Sequence, residues 1–164
     1  MNNLKIGVYT GTFDPITFGH MDIINRSVEL FDKLYIMIPT NINKTFLLSL
    51  DERIEIIKKL YQDNKKIEVI STPNLTAFEC RKRGIKYIVR GIRNYSDFEY
   101  EKNMSIYNQE LNNELETIIL FSLPKYEHIS SSSIKELIKF NSDISAYVPR
   151  LVIDTVNNKN KQNK

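Results

Sequence analysis

The sequence predicts an α/β chain, a doubly wound sheet of five parallel strands with helices on both faces. Three observations carry that expectation. Short apolar runs alternate with segments whose apolar residues recur at helical spacing. The apolar runs are continuous and lack in–out alternation, as strands buried on both faces do. Pro, Gly, Ser, Thr and Asn punctuate the boundaries. Strand–helix alternation of this kind builds a layered, Rossmann-like sheet.

The elements follow in order. "LKIGVY" (4–9) is the first expected strand. From Gly19 to Phe31, the spacing of Ile23, Ile24, Ser27, Val28 and Phe31 suits an amphipathic helix. "KLYIMIP" (33–39) is a second strand. Ser49 and Glu52 stand at capping-box spacing and open a helix over 49–63. "KIEVIS" (66–71) is a third strand, ended by Pro73. A short helix follows from Leu75 to Arg83, with Gly84 as its stop. "KYIVRG" (86–91) is a fourth strand, and a helix over 96–111 starts on a second capping box, Ser96 with Glu99. "ETIILFSL" (116–123) is a fifth strand, broken by Pro124. "SSSSIKELIKF" (130–140) is helical, and a last helix follows Pro149. No repeat or linker divides the chain, so one domain is expected over 1–156. The polar "NNKNKQNK" (157–164) is expected to be a disordered tail.

The 164 residues suffice for one domain with a real core. A composition of 41% hydrophobic and 26% charged residues is that of a globular protein. The balance of 23 basic against 20 acidic residues is too small to argue for nucleic acid, and no basic stripe interleaves with aromatics. The lone cysteine, Cys80, excludes an internal disulfide and argues against a cysteine-based metal site. No basic stretch at the start leads into a long apolar run, and no window has the apolar length of a membrane span. A reduced, cytoplasmic protein is expected.

In open parallel sheets, ligands bind beyond the carboxyl ends of the strands. That rule gathers the polar loops on one rim. "TGTFDPITFGH" follows the first strand, "TNINKTF" the second, "TPNLT" the third, "RGIRNYSD" the fourth and "SLPKYEHISSSS" the fifth. In the first loop, Gly11 allows a sharp turn and Thr17 can cap the next helix. Gly19 and His20 then fall in the first helical turn, where free N–H groups and the helix dipole attract an anion. The same field favours a neutral His20 that donates to a phosphate oxygen. A capped turn with a solvated His is the plainer alternative. Arg90 and Arg93, three residues apart, offer planar forks suited to phosphate. Their alternative is salt bridging to Asp97, Glu99 or Glu101. The serines at 130–133 present hydroxyls and N–H groups at a helix start, although one of them must be an ordinary cap. Lys44 taken alone reads as a solvated lysine, and its place on the rim makes it a candidate phosphate clamp, while His128 reads as a surface residue.

Other chemistries lack their signatures. There is no Gly-x-x-x-x-Gly-Lys-Ser/Thr loop, no Gly-x-Gly-x-x-Gly after the first strand, no His/Cys cluster and no Gly-x-Ser-x-Gly elbow. The carboxylates at 97–101 read as a solvated helix face rather than an acid/base pair. What remains is a ring of phosphate binders without a general base. That suits transfer between phosphates, whose nucleophile is already ionised, with catalysis resting on alignment and charge stabilisation.

"GTFDPITFGH" with "HISSSS" resembles the signature pair of the nucleotidyltransferase superfamily that carries the Thr/His-x-Gly-His motif. "VRGIRNYSDFEYE" narrows the resemblance to the bacterial phosphopantetheine adenylyltransferase family, over Lys5 to about Val152. The resemblance implies adenylyl transfer from ATP to 4′-phosphopantetheine, giving dephospho-coenzyme A and pyrophosphate, with catalysis by His20. It implies ATP contacts from Thr12, Phe13, His20, Gly91, Ile92, Arg93 and Glu101, and from Tyr126, Glu127, His128, Ile129, Ser130, Ser131 and Ser132. It places Thr12, Lys44, Thr76, Arg90, Met104 and Asn108 on phosphopantetheine. It further implies magnesium carried with ATP, a homohexamer, and coenzyme A as feedback inhibitor. Thr10 stands where that family usually has Pro, and Thr45 where a second Lys often stands. A sibling transferase using CTP or another acceptor, and a non-catalytic nucleotide sensor, are the competing readings.

Overall fold

The computed structural model describes residues 4–40 and 45–162. Its five strands are β1 (Ile6–Thr10), β2 (Lys33–Pro39), β3 (Ile67–Thr72), β4 (Tyr87–Ile92) and β5 (Glu116–Phe121). All pair in parallel, in the order β3-β2-β1-β4-β5. The helices are α1 (Phe18–Val28), α2 (Leu50–Leu60), α3 (Thr76–Arg83), α4 (Tyr95–Leu111), α5 (Ser131–Lys139) and α6 (Arg150–Gln162), with one 3-10 turn at Pro124–Tyr126.

The strands are apolar on both faces because both faces are covered. On β2, Leu34, Ile36 and Ile38 meet one layer, while Tyr35 and Met37 meet the other. Ile23 and Ile24 of α1, Ile56 and Ile57 of α2, Ile134 of α5, and Val152 and Val156 of α6 fill the first layer. Ala77 and Cys80 of α3 and Leu111 of α4 fill the second. Strand order reverses between β1 and β4, and such a switch point is where open α/β sheets hold ligands.

Local signals explain several boundaries. The Ser49 hydroxyl accepts from the Glu52 N–H at 3.1 Å while the Glu52 carboxylate accepts from the Ser49 N–H at 2.6 Å. Gly84, with φ 65°, ends α3 in the left-handed region that glycine tolerates. Two expectations differ. α4 opens on Asn94 rather than Ser96, because the Asn94 Oδ1 accepts from the Asp97 N–H at 2.9 Å and the helix starts at Tyr95. The segment after Asn157, expected to be a disordered tail, continues α6 to Gln162. Lys159 ties that stretch to the Leu47 carbonyl at 2.9 Å and to Glu52 at 3.0 Å.

Candidate active site

Beyond the carboxyl ends of β1 and β4 lies a cleft of about 520 Å³. The β1–α1 loop, the end of β4, one face of α4 and the start of α5 all line it. Of the residues expected in the site, Thr12, His20, Gly91, Arg93, Glu101, Tyr126, Ile129 and Ser130 to Ser132 line this cleft, as do Thr76, Arg90, Met104 and Asn108.

His20 is the third residue of α1, and its ring reaches back to the cap. Thr17 Oγ1 accepts from the His20 backbone N–H at 3.4 Å, and His20 Nδ1 accepts from the Thr17 backbone N–H at 3.0 Å. The result is a capping box with His in the place of the usual Glu or Gln. Burial, then the charges of Arg93 and Arg90, push the imidazole pKa down to about 4. Neutrality therefore comes first from lost solvation and two guanidinium neighbours, not from the helix start alone.

The two arginines are not free. Arg93 donates from Nε and Nη2 to the two Asp97 oxygens at 2.9 and 3.2 Å, and from Nη1 to the Ile129 carbonyl at 3.3 Å. Arg90 donates from Nε and Nη2 to the two Glu101 oxygens at 2.8 and 2.6 Å, and from Nη1 to the Thr10 carbonyl. The salt-bridging alternative is therefore what the structure holds for both residues. Asp97 and Glu101 are not a solvated face, whereas Glu99 is exposed. An Nε/Nη2 pairing with one carboxylate still leaves N–H groups for an anion.

Glycine matters here for space. Gly11 spends its N–H on the Met37 carbonyl at 3.1 Å instead of offering it to a ligand. A Cβ on Gly91 would come within 2.9 Å of Ile23 Cγ1, so this glycine lets α1 approach β4.

Several expected contacts fall outside the cleft lining. The Phe13 ring is 1% exposed and packs edge-on against Tyr9 and His20, with centroids at 5.5 and 5.3 Å. It supports the site from within the core. Ile92 is likewise buried. Glu127 and His128 are exposed, and the His128 ring packs edge-on against Tyr147 at 6.0 Å. Lys44 lies outside the described residues.

Other residues at the site escaped the sequence reading. Tyr9, Thr10, Asp97, Tyr100 and Ser122 line the cleft. Helical spacing could have found Asp97, since 97, 101, 104 and 108 share one face of α4. Tyr9 carried no signal beyond that of a core strand residue, and burial raises its pKa to about 12. Beneath the cleft, Asp14 accepts from the Leu47 and Leu48 N–H groups at 2.9 and 2.8 Å. Buried Arg53 donates to the Thr12 carbonyl at 2.8 Å, and the Ser131 hydroxyl donates to the Pro15 carbonyl at 2.9 Å. The segment at residues 47 and 48, α2 and α5 thus hold the β1–α1 loop.

A family model described as cytidylyltransferase-like matches residues 8–137. A phosphopantetheine adenylyltransferase of Streptococcus sanguinis (strain SK36) is 49% identical over 150 residues, covering 91% of this chain and 92% of the relative. Another, from Alkaliphilus metalliredigens (strain QYMF), is 40% identical over 156 residues, covering 95% and 99%. A third, from Streptococcus pneumoniae (strain Taiwan19F-14), is 41% identical over 158 residues, covering 96% and 98%.

Proposed function

The chain belongs to the cytidylyltransferase-like family and, within it, to the phosphopantetheine adenylyltransferases, and from that premise we propose how its cleft transfers an adenylyl group. The reaction takes ATP and 4′-phosphopantetheine to dephospho-coenzyme A and pyrophosphate. A phosphate oxygen of phosphopantetheine attacks the α-phosphorus of ATP in line. The bond from that phosphorus to the bridging oxygen breaks, and pyrophosphate leaves with the electron pair. The nucleophile is already an anion, so no base is required.

The observation that carries this reading is His20. Its Nδ1 is occupied by Thr17, so Nε2 bears the proton and can donate to the α-phosphate oxygen as charge develops there. Arg93, Gly91 and the unpaired N–H groups at the start of α5 serve the nucleotide phosphates. Tyr126 and Ile129 border the same end. Arg90 serves the acceptor phosphate, with Lys44 as a second clamp outside the described residues, and Thr76, Met104 and Asn108 border the pantetheine arm.

Magnesium enters as the partner of ATP. Among the described residues no cluster of three or more His, Cys, Asp or Glu side chains could cage a cation. Asp97 and Glu101 are taken by arginines, so the donor set fits an ion held mainly by phosphates and water.

The protein works in the cytoplasm as a hexamer. No described helix is long and apolar enough to cross a membrane. Support for assembly comes from exposed apolar side chains on neighbouring helices: Leu75 and Phe78 near and on α3, and Tyr95, Phe98, Ile106 and Tyr107 on α4. Coenzyme A, which carries the pantetheine arm, inhibits by occupying the acceptor side.

Pyrophosphate release, measured for ATP and CTP against 4′-phosphopantetheine, glycerol 3-phosphate and a mononucleotide, tests the reading. ATP with phosphopantetheine is the expected productive pair. A preference for CTP, or nucleotide binding without pyrophosphate release, would overturn it.

A further inference from the structure

Asp97 and Glu101 sit one turn apart on α4, and their partners Arg93 and Arg90 sit three residues apart at the end of β4. Helix and strand therefore form two rungs, each an arginine bound along its Nε/Nη2 edge by both oxygens of one carboxylate. In each rung Nη1 also donates to a backbone carbonyl, that of Thr10 for Arg90 and that of Ile129 for Arg93. A guanidinium has five N–H groups, so these contacts leave two on each arginine for a ligand. The rungs point to different neighbours. Arg93 ties the end of β4 to the segment leading into α5, while Arg90 ties it to the end of β1.

Asp97 is fixed in turn. The Arg93 backbone N–H donates to its Oδ2 at 3.1 Å, and its own N–H is capped by Asn94 at 2.9 Å. Burial alone would raise the Asp97 carboxyl, but the Arg93 hydrogen bonds hold it below its ordinary value. Glu101 is 6% exposed, so its rung is the more enclosed.

We propose that Asp97 and Glu101 are positioning residues with divided duties, Asp97 aligning Arg93 for the nucleotide and Glu101 aligning Arg90 for the acceptor phosphate. Glu101, expected on the nucleotide, thereby serves the other substrate through Arg90. Neutralising each guanidinium with a carboxylate trades long-range attraction for direction. An incoming phosphate meets two aimed N–H groups on a held plane instead of a mobile cation. The same carboxylate repels that phosphate, and the inference requires that alignment outweighs the repulsion.

The inference rests on the assignment of Arg93 to ATP and Arg90 to phosphopantetheine. Calorimetry of the full chain with each substrate separates the two. Asp97→Asn is expected to weaken ATP binding about tenfold and leave phosphopantetheine within about twofold, and Glu101→Gln to do the reverse, the scale of losing one charge-assisted hydrogen bond. If Asp97 acts through Arg93, the double variant Asp97→Asn, Arg93→Ala binds ATP no more weakly than Arg93→Ala alone. Weakening of the same substrate by both variants, tighter binding of both substrates, or additive losses in the double variant would overturn the inference. Thermal unfolding of each variant identifies one that fails to fold. Should buried Glu101→Gln fail in that way, Asp97→Asn and its cycle with Arg93 decide. If Arg93→Ala leaves ATP binding unchanged, the assignment of the arginines fails. If it weakens ATP but Asp97→Asn is silent, the assignment stands and the inference alone fails.

Discussion

The Thr17 backbone N–H donates to His20 Nδ1 at 3.0 Å, which fixes the tautomer of the imidazole. A backbone N–H can only donate, so Nδ1 carries a lone pair and the single proton sits on Nε2. The Thr17 hydroxyl, 3.0 Å from the same nitrogen, can add a second donor. Protonating Nδ1 would break this capping box and set a cation beside Arg93 and Arg90. One local contact thus sets the tautomer and closes the first turn of α1, while burial and the two guanidinium groups keep the ring neutral.

A titration follows. The folded-state pKa of His20 is lowered from 6.5 to about 4. Between those values the unfolded chain takes up a proton that the folded chain refuses. The stability gained by keeping His20 neutral is therefore complete above pH 6.5 and is lost as pH falls towards 4. Nitrogen-15 chemical shifts of the ring should show a midpoint near 4, and turnover should lose no activity to His20 protonation between pH 6 and 8. A midpoint near 6.5 would remove the argument for a neutral donor.

His20→Ala should lower turnover by about a hundredfold, the usual scale for deleting one preorganised transition-state donor. Binding of ATP should change far less, because the donor acts on charge that develops during transfer. Rapid-quench turnover beside calorimetry on the same sample makes the comparison. Turnover near that of the unaltered chain would exclude the role.

Much of this arrangement was legible in the sequence because its causes are local. Ser49 with Glu52 fixed the start of α2, Gly84 the end of α3, and the continuous apolar runs the parallel sheet. Loops on one rim followed from the rule for parallel sheets. The arginine–carboxylate rungs were harder. Sequence proposes Asp97, Glu99 and Glu101 alike, and only the register of α4 against β4 selects the first and last. Ser96 with Glu99 matched capping-box spacing, but the Asp97 N–H bonds to Asn94, which no spacing rule singled out. Asp14 and Arg53 have the composition of surface residues. Their burial depends on backbone groups of a distant segment, which no spacing rule exposes.

Gly91→Ala should destabilise the fold through the contact of α1 with β4. A Cβ there would lie 2.9 Å from Ile23 Cγ1 and 3.2 Å from Ile23 Cδ1. Overpacking of this kind costs about 1–3 kcal/mol, and each kcal/mol lowers the melting midpoint by about 2–4 °C in a chain of this size. Combining Gly91→Ala with Ile23→Ala, which costs stability of its own but vacates the space, should lose less than the two single changes added together. If the pair instead loses as much as the two single changes added together, the steric account is wrong.

Asp14→Asn separates two reasons why a 1% exposed carboxylate is tolerated. One reason is the pair of backbone N–H groups at Leu47 and Leu48, at 2.9 and 2.8 Å, one on each oxygen. The other is Lys135, at 3.4 Å and with a side chain 35% exposed. Asparagine keeps one acceptor and turns an NH2 towards a backbone donor, which leaves a buried N–H without a partner. That costs about 1–3 kcal/mol. A half-exposed ion pair is worth only about 0–1 kcal/mol. Asp14→Asn should therefore lower the melting midpoint clearly more than Lys135→Met does. Combining the two should add little, because the lysine has lost its partner already. Calorimetric melting of the three variants at pH 7.5 measures this. Equal losses from Asp14→Asn and Lys135→Met would mean that the lysine, not the backbone of residues 47 and 48, is what holds Asp14 in place.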